Sequence, residues 1–483
     1  MTTSDDIFQL VKSLSQTEKT YFKKFAQLHV LGEENVYLRL FDAIDAQERY
    51  NEKLLTEIFS KGKSSSQFSV LKNYLYNLVL KSLRNYHADV TVRAELRQQL
   101  QNASLLFERG LHSQAEKLLR RCRKTAEQCE LFRELIEISG LEQAMLLFGK
   151  SYDASTIKVM NAMLDERIMV LQKMQNTYDY DRLEYNLTHS LQSGSKASLN
   201  EAGKLMKSDL MKSEKRALCV VSLLKFHHIH STFYYYTHKR KECVVHLQKE
   251  IEILEAHPEI MQLRLQDYVL LTNNVLLLML ELGEYKKFDV RLAQFRKRIA
   301  QQTISVRLWE QAVIHNWIIE MQRHYYEFNY AKFTSVEQDL RRQLKQHKAE
   351  LNLNDKFVFL DLLTRAAFRA KKYSAALSHS VELLNHADAP KKFQQYNNAR
   401  FLNLLIHFEL QNYDLLEYQI QSFQRQVMKE EKSNELYNAI IPFLKKHPST
   451  IDKKQKQLLM EKTTKEVPES GYFNFKEWMK GKI

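Results

Sequence analysis

Glycine and proline are scarce, at 10 and 5 residues in a chain of 483. A chain of ordinary composition would carry about 7% and 5% of them. Sheets made of many short strands need those residues at their turns, so sandwiches, barrels and phosphate-cradling α/β folds are excluded and a helical protein remains. Cysteine is also rare. Cys122, Cys129, Cys219 and Cys243 have no close paired spacing and are too few to staple a chain of this length, which points to a reducing compartment. Long apolar runs are missing too: the most apolar, Val275 to Leu280, is far short of the roughly 18 residues of a membrane span. The acidic opening Met-Thr-Thr-Ser-Asp-Asp resembles neither a signal nor a transit peptide, so the expected location is the cytoplasm, with no membrane partner.

What is present is ample apolar and charged material. With 44% hydrophobic and 27% charged residues, the chain can bury a large core. Its net charge of +14 and pI near 9.2 favour acidic partners, nucleic acid included. Apolar residues recur at helical spacing in nearly every window. Phe288, Leu292, Phe295 and Ile299 form one stripe, beside a second of Lys287, Arg291 and Arg298. Gly110 separates two such runs and supplies the positive φ of a helix end. Tyr285, Tyr330, Tyr373 and Tyr413 each follow a polar turn, at intervals of 45, 43 and 40 residues. Three residues beyond each stands Phe288, Phe333, Ala376 or Leu416, so the pattern predicts helix pairs turning near Gly283, Asn329, Lys372 and Asn412.

This pattern resembles the tetratricopeptide superfamily, whose turn reads roughly Gly, any, Tyr, two variable residues, Ala. Leu282-Gly283-Glu284-Tyr285 is nearest at the turn, and Tyr373-Ser374-Ala375-Ala376 at the small residue. The bulky Phe288, Phe333 and Leu416 depart from it, as does a period above 34 residues. The resemblance implies an all-α fold: an irregular tetratricopeptide-like α-solenoid, a right-handed superhelix of helix hairpins, with an N-terminal helical unit. The expected divisions are residues 1–90, first hairpins over 91–195, the superhelix over 196–447, and a lysine-rich helix with an aromatic cap over 448–483. Val70 to Tyr86, the opening Lys-Ser-Leu-Ser-Gln-Thr-Glu-Lys-Thr-Tyr-Phe and the close from Tyr472 to Trp478 also look like a helical-repeat family of Bacteroidota that has no assigned activity. That likeness implies a bacterial cytoplasm and adds no chemistry.

Signals of catalysis are weak. Gly149-Lys150-Ser151 imitates the end of a phosphate loop, but Ala144 stands where the first glycine must be. Nucleophile elbows, zinc-protease helices and Cys-x-x-Cys pairs are missing. His227, His228 and His230, followed by His238, Cys243 and His246, form the densest set of candidate ligands. Phe226, Phe233, Tyr234, Tyr235 and Tyr236 surround them, so the favoured reading is an amphipathic wall, with no metal and no cofactor.

Binding signals are richer. Alignment to the repeat pattern puts Asn273, Asn274, Arg365 and Asn398 on or near groove positions, where such side chains hold extended backbone or carboxylates. On another helix Lys117, Arg120, Arg121 and Lys124 share one face as a candidate docking surface. Phe59 to His87 carries Lys61, Lys63, Lys72, Lys81 and Arg84 without an acidic residue, in the helix, turn, helix order of a DNA reader. The expected function is a non-enzymatic scaffold for a protein or peptide. Its alternative is a DNA-binding regulator using Lys72, Lys81 and Arg84. The closing Tyr472, Phe473, Phe475 and Trp478 are expected to dock as a cap on the last helix pair.

Overall fold

In the computed structural model, the described residues are 5–28, 36–60, 65–86, 91–148, 152–192, 195–302, 306–347, 350–385, 394–426, 435–445 and 478. Among them every regular element is helical. None of these helices is long and apolar enough to cross a membrane. The motif at Gly149-Lys150-Ser151, the lysines at 61 and 63, and the aromatics Tyr472, Phe473 and Phe475 lie outside the described residues. The chain divides into two compact units, residues 1–181 with 214–223, and residues 182–213 with 224–483.

The first unit opens with α1 (Asp6–Ser13), α2 (Gln16–Gln27), α3 (Val36–Asp45), α4 (Glu52–Ser60) and α5 (Ser65–Tyr86). Ser15 starts α2 with a reciprocal cap: its hydroxyl accepts from the Glu18 amide while the Glu18 carboxylate takes the Ser15 amide. Helix α5 packs against all four of its predecessors. Its Phe68, Leu75 and Val79 join Val11, Phe22, Phe41 and Ile44 in one buried cluster. Next come α6 (Val92–Glu108), α7 (His112–Gln128) and α8 (Phe132–Leu147), each against the next, and the 39-residue α9 (Ala154–Gln192). Asn176 of α9 ties down the outlying segment, donating to the Arg216 carbonyl and accepting from the Leu218 amide, both at 3.0 Å.

The second unit contains α10 (Lys196–Leu205), most of α11 (Val220–Tyr236), α12 (Arg240–Ala256), α13 (Pro258–Leu263), α14 (Leu265–Glu281), α15 (Tyr285–Ile299), α16 (Val306–Tyr326), α17 (Tyr330–His347), α18 (Leu353–Arg369), α19 (Tyr373–Leu384), α20 (Gln394–Glu409), α21 (Tyr413–Gln426) and α22 (Glu435–Leu444). The four periodic tyrosines are each the first residue of a helix, and Phe288, Phe333, Ala376 and Leu416 are each buried one turn on. Helices α14 and α15, α16 and α17, α18 and α19, and α20 and α21 pack as pairs. The first members also pack in sequence, α14 on α16, α16 on α18, α18 on α20 and α20 on α22.

One turn geometry recurs throughout. Gly110, Glu130, His238, Gly283, Phe328, Lys371 and Gln411 hold φ between +49° and +76°. At each, the amide of that residue returns to the carbonyl three residues back and the next amide to the carbonyl five back, the Schellman closure of a helix end. Five of these seven positions carry a side chain in the left-handed region, each at a cost of about 1–2 kcal/mol. At the far end Trp478 is buried against Phe408 and Phe443, and its indole Nε1 donates to Glu409 Oε1 at 2.6 Å.

Candidate functional site

Among the described residues, α11, α12 and α14 form a cleft of about 280 Å³. Helical spacing builds both walls. His228, Ser231, Thr232 and Tyr235 stand at i, i+3, i+4 and i+7 on α11, and Asn274, Leu277, Leu278 and Glu281 repeat that spacing on α14. Cys243 and Leu247 of α12 form the buried floor. The turn at His238 reverses the chain from α11 into α12 and so sets the floor beneath the wall. Arg240 marks the rim, with its guanidinium 4.5 Å from the Tyr235 ring and its Nε 3.0 Å from Glu281 Oε2.

Behind the α11 wall lies a network of ion pairs. Glu250 is 3% exposed; its Oε2 is 3.4 Å from His228 Nδ1 and its Oε1 is 3.1 Å from the Ser231 hydroxyl. The other His228 nitrogen is 3.8 Å from Glu184, which also takes the Lys225 ammonium at 3.0 Å. The hydrogen bond to Glu250 raises the His228 pKa, outweighing desolvation. Desolvation raises that of Glu250, outweighing the histidine. Both shifts favour retention of a proton in the pair. Burial pushes the Cys243 thiol up to about 11, and its Sγ donates to the Ser231 carbonyl at 3.3 Å, so it is a protonated floor and not a nucleophile.

The candidates drawn from the sequence are dispersed. Asn274 lines the cleft. Asn273 is buried and accepts from Asn316 Nδ2 on α16, so it joins two helices. Arg365 is buried with Asp361 at 2.9 Å, its guanidinium 5.1 Å from the Tyr325 ring. Asn398 accepts from the Tyr437 hydroxyl at 2.9 Å. Lys117, Arg120, Arg121 and Lys124 are all exposed on α7, Arg120 pairing with Glu116 at 2.7 Å. On α5, Lys72 pairs with Glu52 and lies over the Phe68 ring, whereas Lys81 and Arg84 are exposed. Lys72 and Lys81 are nine residues apart, which puts them on opposite sides of a helix. With four helices packed around it, α5 serves as the centre of a core.

The histidines pack as rings. His227 Nδ1 is 3.0 Å from His246 Nδ1, and His230 stacks on His246 with centroids 4.4 Å apart. Among the described residues no group of three or more His, Cys, Asp or Glu side chains is arranged to hold a metal ion. No protein family, curated protein or solved structure matches the chain. Sequence reasoning overlooked Glu250, although a signal for it exists. Cys243, Val244, Leu247, Ile251 and Leu254 are the apolar stripe of α12, and Glu250 is a carboxylate in register with them, where an ionised group needs a partner.

Proposed function

We propose that this chain is a non-enzymatic binding protein that seats a peptide segment of a partner protein in the cleft between α11 and α14. The observation that carries the reading is the make-up of that cleft. Tyr235 and Tyr236 are 49% and 40% exposed at its edge, Leu277 and Leu278 line one wall, and the Asn274 amide stands among them. An asparagine offers donors and an acceptor to an extended backbone, while tyrosines supply rigid apolar area with a polar tip. Its volume of about 280 Å³ falls just below the range of small-molecule sites, and suits one or two side chains of a longer ligand.

The helix pairs support placing this cleft in a tetratricopeptide-like array. Their Schellman turns recur at 283, 328, 371 and 411, and their first helices pack in sequence, the arrangement from which a superhelix with a continuous binding face is built. The decisive experiment is selection of the full chain against a displayed library of random peptides. Binding should be lost in Asn274→Ala and Tyr235→Ala with the helix content unchanged. Selected peptides that bind these variants as well as the parent would refute the cleft as the site.

A further inference from the structure

The far end of the second unit holds an occupied counterpart of the open cleft. Trp478 is 8% exposed, packed edge-on against Phe408 and Phe443 with ring centroids 6.2 and 6.1 Å away, and its indole Nε1 donates to Glu409 Oε1 at 2.6 Å. Glu409 closes α20 in Glu409-Leu410-Gln411-Asn412-Tyr413, and the cleft residue Glu281 closes α14 in Glu281-Leu282-Gly283-Glu284-Tyr285. The two carboxylates hold the same place, two residues before a left-handed turn residue and four before the tyrosine that heads the next helix. Their neighbours match as well. Tyr373, at the head of α19, is hydrogen-bonded to Glu409, and Arg240, at the head of α12, donates from Nε to Glu281 Oε2 at 3.0 Å. Phe408 stands five residues before Tyr413, and Tyr235 of the cleft stands five before Arg240.

We propose that the cleft between α11 and α14 seats a tryptophan side chain of the partner peptide, its indole N–H donating to Glu281 and its ring lying between Tyr235 and Leu278. The proposal rests on the peptide-binding reading and adds the residue that is recognised. Glu409 takes two donors, Tyr373 and Trp478. Glu281 takes one from Arg240, and among the described residues its Oε1 accepts no hydrogen bond, so it keeps the acceptor that an indole needs. A basic side chain suits the place less well, because Arg240 already neutralises Glu281 and the chain carries +14. Leu247, Leu277 and Leu278 offer the apolar surface that a ring requires, and an indole brings one donor and no acceptor to satisfy. Trp478 is itself held at α20, so the tryptophan comes from another molecule.

The test uses N-acetyl-5-fluorotryptophanamide as probe, followed by fluorine NMR with the full-length protein at up to about 10 mM probe. Saturable binding is expected, weakened about tenfold or more when the indole nitrogen is methylated and its donor removed. In Glu281→Ala the two probes should bind alike, with circular dichroism unchanged because the Glu281 side chain is 52% exposed. A loss common to both probes reports the released Arg240, and the difference between them reports the N–H. Absence of saturable binding, equal binding of the two probes by the parent, or a methylation effect that survives Glu281→Ala would overturn the proposal. The displayed library separates it from the reading beneath it. Peptides that are lost in Asn274→Ala but lack tryptophan would leave peptide binding standing and sink the indole, whereas peptides indifferent to Asn274→Ala would sink peptide binding even with the probe bound at Glu281.

Discussion

Gly283 provides a direct test of what closes the helix pairs. It holds φ at +68°, and a Cβ added there would meet no heavy atom within 4 Å. Gly283→Ala therefore creates no clash, and the cost of holding an L-residue in the left-handed region, about 1–2 kcal/mol, exceeds the smaller gain from a stiffer unfolded chain. At about 2.1 cal/mol/K of unfolding entropy per residue, each kcal/mol lowers the melting temperature of a unit as large as the second by about 1.5 °C. The second unit should thus melt about 1–3 °C lower by scanning calorimetry, a method that also resolves the two units if they unfold separately. Lys371 is the converse case, an exposed lysine at φ +58° in an equivalent turn. Lys371→Gly relieves the same strain but adds freedom to the unfolded chain, so the expected change lies between zero and about 1 kcal/mol of stabilisation. An unchanged melting curve for Gly283→Ala, or marked destabilisation by Lys371→Gly, would refute the argument that a shared left-handed closure terminates these helices.

Ala376 is fully buried where α19 packs on its neighbours, so Ala376→Leu should overpack the contact and cost about 1–3 kcal/mol in denaturant unfolding. Arg365→Ala leaves the buried Asp361 carboxyl, already pushed up to about 6, without its cation; a loss of about 3–5 kcal/mol is expected, and the double change Asp361→Leu with Arg365→Met should recover most of it. His228 has a folded pKa raised above its ordinary 6.5, so the stability from its protonated form is fully present below that value and is lost as pH rises through the folded pKa. His324, His379 and His407 are lowered by burial and act in the opposite sense on acidification, so the check is the difference in stability between the parent and His228→Gln, which should shrink from about pH 6.5 upward.

The helical class could be read from the want of turn residues, and the pair boundaries from the tyrosines, because Tyr285, Tyr330, Tyr373 and Tyr413 repeat the same packing task at the head of a helix. The turns themselves were harder to read. Glycine marks only Gly110 and Gly283, while Glu130, His238, Phe328, Lys371 and Gln411 adopt the same conformation without any compositional signal. The groove residues were assigned by helix register alone. Register separates Asn273 from Asn274 by only 100°, yet one is buried against Asn316 and the other opens on the cleft. Partners distant in sequence decide such cases. Lys72 reads as a free cation until Glu52 of α4 is beside it, and Glu250 as a surface carboxylate until α11 brings His228 and Ser231 over it.

The central claim is that a partner peptide occupies the cleft between α11 and α14, and site-specific photocrosslinking in the cell of origin tests it most directly. A benzophenone amino acid placed at Tyr236, on the rim, should capture a discrete protein partner, and Asn274→Ala in the same chain should abolish that adduct. Placed at exposed Tyr418 on α21, away from the cleft, it should leave the partner uncaptured. The claim is contradicted if Tyr236 yields no adduct, or if the same adducts form from both positions and survive Asn274→Ala.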